Sequence, residues 1–103
     1  MILKFSRRKS QVHGWGLFAD EFISSGEIIE KLAYVKLDDL PYPLIRYRFG
    51  CKETGNVVVF GYANLINGSL EDPNVQFKFE NDLFYIFTIR NIEVGEELFL
   101  KYN

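Results

Sequence analysis

The chain has 103 residues, 48% of them hydrophobic and 17% aromatic, which supplies apolar material for one core but too little length for a second domain. A net charge of −2 and a pI near 5.4 leave no broad cationic face, so direct nucleic-acid binding is not expected and the cluster Lys4, Arg7, Arg8 and Lys9 reads as a solvated edge. Cys51 is the only cysteine, which excludes an internal disulfide, and no apolar run has membrane-spanning or secretory-signal character. The expectation is therefore an intracellular protein without membrane contact, cytoplasmic or, in a eukaryotic host, nuclear.

In chain order, residues 2–5 form the first candidate strand. After the turn Gly14-Trp15-Gly16 come strands at 17–19 and 27–32, the second following Ser25-Gly26. Pro41 and Pro43 interrupt the middle and leave room for only a short helix at 44–49. A strand at 57–60 follows Thr54-Gly55-Asn56, and a helical turn is expected near 63–66. Val75, Phe77 and Phe79 alternate with Gln76, Lys78 and Glu80, the period-2 pattern of a strand with one face buried. Residues 83–89 are apolar on both faces and predict a more central strand. The last strand falls at 97–100, after Val94-Gly95. The fold class is thus mainly β, several small sheets with one or two short helical turns.

The residue inventory excludes much chemistry. His13 is the only histidine, so tetrahedral zinc sites, histidine triads and Cys-His pairs cannot be assembled within one chain, and no metal is expected. No phosphate loop is present. Gly14-Trp15-Gly16-Leu17-Phe18-Ala19 satisfies the spacing of a dinucleotide fingerprint, but only six residues separate Ala19 from Gly26, too few for the crossover helix that fingerprint must open. Asp38, Asp39, Glu71, Asp72, Glu93, Glu96 and Glu97 read as ordinary solubility charges.

Four segments carry a specific pattern when taken in order: His13-Gly14-Trp15-Gly16-Leu17-Phe18-Ala19, Gly26-Glu27-Ile28-Ile29-Glu30, Asn67-Gly68-Ser69-Leu70-Glu71-Asp72-Pro73-Asn74, and Phe87 through Leu98 with Tyr102 beyond. Together they resemble the SET-domain methyltransferases, most closely the minimal stand-alone SET proteins of viruses and bacteria, over nearly the whole chain. The resemblance implies a single SET domain over residues 1–103 with a C-terminal pseudoknot. It implies methyl transfer from S-adenosylmethionine, leaving S-adenosylhomocysteine, to the side-chain amine of a protein or peptide lysine, with a histone tail and chromatin as the first expectation.

Residue by residue, the resemblance puts the methionine end of the cofactor against the Gly14-Trp15-Gly16 loop, where Gly14 and Gly16 lack β-carbons and permit close approach and Trp15 covers the ligand. It assigns cofactor contacts also to Asn64, Asn67 and Gly68. Gly68 stands where the family has a histidine, so an imidazole's packing and hydrogen bond are lost there and weaker cofactor binding is expected. Tyr102 matches the catalytic tyrosine, Tyr47 a second tyrosine of the lysine channel, and Phe77 and Leu100 channel positions where an apolar wall leaves room for multiple methylation. Relatives often continue past the tyrosine into a segment that closes the channel, which here leaves three alternatives: a partner copy in a homodimer completes the site, the site stays open, or the natural protein extends further. The alternative function is a catalytically weak or inactive SET-like protein-interaction module.

Overall fold

The computed structural model describes residues 3–37, 49 and 56–101, and in them strands dominate. Strand β1 (Phe5–Lys9) pairs antiparallel with β2 (Trp15–Ala19), in register from Phe5 opposite Ala19 to Lys9 opposite Trp15. The connecting loop is closed by Ser10 N donating to the Gly14 carbonyl at 2.8 Å, with Gly14 at φ +49°. That left-handed conformation is one a side chain resists, which explains a glycine at this corner. Residues 15–19 therefore run as a strand, and the dinucleotide spacing opens no helix.

The largest sheet combines β3 (Ile28–Leu32), β6 (Asn67–Ser69), β7 (Val75–Glu80), β8 (Leu83–Thr88) and β9 (Phe99–Lys101) in the order β3-β8-β7-β9-β6. Strands β7 and β8 form a tight hairpin whose corner, Asn81 and Asp82, adopts φ +53° and +62°. Two consecutive left-handed residues make the turn that matches strand twist, and Asn and Asp tolerate it best among residues with side chains. A separate ribbon joins β4 (Tyr34–Leu37) to β5 (Asn56–Val59), and a 3-10 helix spans Tyr62–Leu65.

Alternation decides what is buried. Along β8, Phe84, Ile86 and Thr88 are buried while Leu83, Tyr85 and Phe87 are partly covered on the other face. There the Lys78 ammonium lies 5.5 Å from the Tyr85 ring centroid and 5.6 Å from that of Phe87, so its stem and charge cover rings that would otherwise be open to water. The expected central strand is thus interior to the sheet, between β3 and β7. Phe49, Phe77, Phe79 and Phe84 form an aromatic group with neighbouring centroids 4.8 to 5.9 Å apart. Leu17, Ala19, Ile23, Ile92 and Leu98 are also fully buried, tying the β1-β2 ribbon to the C-terminal segment.

Strand β9 is inserted between β6 and β7, which are neighbours in sequence, and pairs in parallel with both. Fully buried Asn74 fixes that insertion. Its Nδ2 donates to the Glu97 carbonyl at 2.8 Å and its Oδ1 accepts from Phe99 N at 2.7 Å. Its main-chain N also donates to the Phe99 carbonyl at 2.9 Å.

Several boundaries differ from the sequence reading. The first strand begins at Phe5 and runs through Arg7, Arg8 and Lys9, because the ribbon leaves those positions exposed and needs no alternation there. The last strand is Phe99–Lys101 rather than 97–100. Strands β4 and β6 were not anticipated. The predicted helix at 44–49 lies outside the described residues except for Phe49, which forms an antiparallel bridge with Val57 instead.

Candidate functional site

Three segments far apart in sequence meet at one place: the loop of residues 10–16, Asn67 at the start of β6, and Glu97 before β9. The main chain brings them together first. Phe18 bridges Glu97, Leu98 N donates to the Leu17 carbonyl at 2.8 Å, and Ala19 N donates to the Glu96 carbonyl at 2.8 Å. Asn67 pairs with Phe99 in the parallel β6-β9 ladder, which sets its side chain beside the same turn.

The side chains then close a network. Glu97 Oε1 accepts from Ser10 Oγ at 2.8 Å, and Glu97 Oε2 accepts from Asn67 Nδ2 at 2.8 Å. Asn67 Nδ2 also faces the His13 carbonyl at 3.1 Å and the Trp15 carbonyl at 3.4 Å. Ser10 Oγ in turn accepts from Val12 N at 3.0 Å, which shapes the loop from inside. Buried Gly16 makes the approach possible: a β-carbon there would sit 3.0 Å from Glu97 Cδ and 3.3 Å from Asn67 Nδ2, and closer still to Glu97 Oε2.

The chemistry of this group is that of an acceptor cluster. Two carbonyls and a half-buried carboxylate converge, and among the described residues Glu97 has no cationic partner. An amide nitrogen has two hydrogens and here meets three acceptors, so one, by distance the Trp15 carbonyl, is left poorly served. Such a place suits a positively charged ligand carrying N–H donors. Trp15 is 46% exposed rather than a core residue, and the Arg7 guanidinium lies 4.7 Å from its ring centroid.

Other sequence-predicted residues lie elsewhere. Asn64 Nδ2 donates to the Val59 carbonyl at 3.0 Å, holding the 3-10 helix to β5, while its buried Oδ1 has no partner among the described residues. Gly68 pairs with Leu100 between β6 and β9. Leu100 in turn pairs with Val75, two residues before Phe77 on the same face. Phe77 stacks on Phe84 at 5.4 Å and so serves the core as well as any channel. Tyr47 and Tyr102 lie outside the described residues. Glu97, read from sequence as a solubility charge, is the residue that reading missed. The signal available was its place in Gly95-Glu96-Glu97-Leu98, where Glu96 takes the surface role of pairing with Arg90 at 3.2 Å and Glu97 turns inward.

A family model described as the SET domain matches residues 14–103. The chain belongs to the SET-domain family. A search of curated protein sequences finds no match. Among solved structures, this SET domain is similar to a candidate histone methyltransferase of Plasmodium falciparum, with TM-score 0.82, 24% identity, and coverage of 100% of this chain and 96% of that one. It is similar also to the methyltransferase domain of human PR domain-containing protein 2, with TM-score 0.78, 18% identity, and coverage of 100% and 79%. A third structure is ctPRC2 in an autoinhibited conformation bound to S-adenosylmethionine, with TM-score 0.75 and 25% identity, where the match takes in 100% of this chain but 15% of that one. In this SET domain the segment just before β9, Glu96 to Leu98, is the part that meets β2 and the glycine loop.

Proposed function

We propose that this SET domain binds S-adenosylmethionine and supports methyl transfer to the side-chain amine of a protein lysine, with histone tails as the first substrates to test. The observation that carries the reading is the meeting of the Gly14–Gly16 loop, Asn67 and Glu97 in a cluster of acceptors without a cation of its own among the described residues. The donor set fits the group: an ammonium finds carbonyl and amide oxygens there, and Gly14 and Gly16 give it access to main chain. When bound, S-adenosylmethionine supplies a methyl group on a sulfonium centre, activated without any metal.

The chain's own residues have two tasks, alignment and dehydration. A lysine amine near pH 7 must lose its proton, which costs on the order of 4 to 5 kcal/mol from a reference pKa of about 10.4. Apolar walls lower that cost by disfavouring the ammonium, and partly buried Phe77 and Leu100, on β7 and β9, are the side chains the reading assigns to them. Tyr102, by its family match, is assigned the orienting role through its hydroxyl, and Tyr47 a place along the lysine channel. The apolar character of positions 77 and 100 favours more than one methyl addition.

Gly68, in place of an imidazole, favours a second reading, a SET domain with weak or no catalysis that serves as a protein-interaction module. One experiment separates the two. Radiolabelled methyl transfer onto histone and lysate proteins is expected from the wild type and lost in Tyr102→Phe, whereas no signal from either with the cofactor bound favours the module, and equal signal from both removes the role assigned to Tyr102.

A further inference from the structure

We infer that Glu97 is a positioning residue that sets which way the Asn67 amide faces, and through it the affinity for a cationic ligand. Its role rests on the proposed cofactor reading of the site, but the orientation itself does not. All three groups facing Asn67 Nδ2 are acceptors with no hydrogen to give: the His13 carbonyl, the Trp15 carbonyl and Glu97 Oε2. Only the NH2 end of the amide can point at them, so Oδ1 is directed the other way and, among the described residues, accepts from no donor. The carbonyls alone hold the amide loosely, at 3.1 and 3.4 Å, while the carboxylate holds it at 2.8 Å and adds charge.

Glu97 is itself immobilised, which a positioning group requires. Its second oxygen accepts from Ser10 Oγ, its carbonyl accepts from buried Asn74 Nδ2 at 2.8 Å, and its neighbour Leu98 is bonded to Leu17. Gly16 leaves the space into which the carboxylate fits. The outcome is a preset pair of acceptors for a ligand: Asn67 Oδ1, and the Trp15 carbonyl that the amide serves least. Replacing Glu97 with Gln keeps the shape but removes the charge and turns one obligatory acceptor into a group that can present N–H, so the hold on the Asn67 amide falls back on the two longer carbonyl contacts.

Two measurements test this. In the ligand-free protein, the Asn67 side-chain amide, assigned by its disappearance in Asn67→Ala, is expected to show slowed hydrogen exchange in the wild type and exchange at least about tenfold faster in Glu97→Gln, the loss of one charge-assisted hydrogen bond. Unchanged exchange overturns the inference whether or not the cofactor reading stands. In calorimetric titration with S-adenosylhomocysteine, Glu97→Gln is expected to weaken binding about tenfold in the wild-type background and less than about twofold in the Asn67→Ala background, because its effect passes through Asn67. Equal losses in both backgrounds mean a merely structural glutamate and overturn the inference while leaving the cofactor reading intact. No binding by the wild type removes the cofactor reading and the affinity role that rests on it, while the exchange result still decides the orientation.

Discussion

The Asn67 amide nitrogen and the Glu97 carboxylate stand 2.8 Å apart, thirty residues apart in sequence, and join the edge strand β6 to the turn before β9. Their contact exists because β9 is inserted between β6 and β7, and because Gly16 has no side chain to fill the gap. Site and fold therefore share supports, and substitutions in this region separate into those that loosen the insertion and those that disturb the acceptors alone.

Asn74→Ala tests the insertion. It strips partners from the Phe99 N–H and the Glu97 carbonyl in a fully buried place, at about 1–3 kcal/mol for each group left unpaired. The expected result is a fall in the thermal midpoint of about 10 to 25 °C for a domain of this size, read by circular dichroism. A fall of less than about 4 °C would mean that Asn74 does not hold β9 in place.

The glycine loop offers a paired comparison. At Gly14 a β-carbon meets nothing within 4 Å, so Gly14→Ala costs only the strain of φ +49°, about 1–2 kcal/mol of stability. At Gly16 a β-carbon strikes Glu97 and crowds Asn67, so Gly16→Ala is expected to weaken S-adenosylmethionine binding at least about tenfold, whereas Gly14→Ala changes it less. Calorimetry on both variants, with thermal midpoints alongside, checks the order. A greater affinity loss from Gly14→Ala would place the ligand elsewhere on the loop.

Glu30 predicts a pH dependence. Burial pushes its pKa above the ordinary value of 4.5, outweighing the Tyr62 and Ala63 N–H groups that favour the charged form, and its buried Oε1 has no partner among the described residues. The folded state thus holds this proton more tightly than the unfolded chain. The sign follows: stability from this group is greatest where the carboxyl is protonated and declines as pH rises from the ordinary value through the raised one. Glu30→Gln, which keeps an acceptor for Tyr62 N, is expected to melt at or above the wild type at pH 7, with the difference shrinking toward pH 4. A variant less stable than wild type at pH 7 would show that the charged cap on the 3-10 helix outweighs its burial.

Much of the fold was legible because it depends on local alternation. Val75, Phe77 and Phe79 announced β7, and the doubly apolar run at 83–89 announced an interior strand. The strands that sequence reading missed gain their partners from afar. Asn67-Gly68-Ser69 has no strand pattern of its own and is ordered by parallel pairing with residues 99–101. The same reason hid Glu97. Side by side with Glu96 it is one more acidic residue, and only Asn67, Ser10 and the absent Gly16 side chain distinguish it. Motif order located the glycine loop and Asn67, while the charge that orients Asn67 was visible only in three dimensions.

The most direct test is isothermal titration of the wild-type chain and Asn67→Ala with S-adenosylmethionine. The account predicts one-to-one binding by the wild type and a loss of at least about tenfold in Asn67→Ala at unchanged fold. Absence of heat from the wild type at ligand concentrations up to about 1 mM, weaker than about −4 kcal/mol of binding, would contradict it.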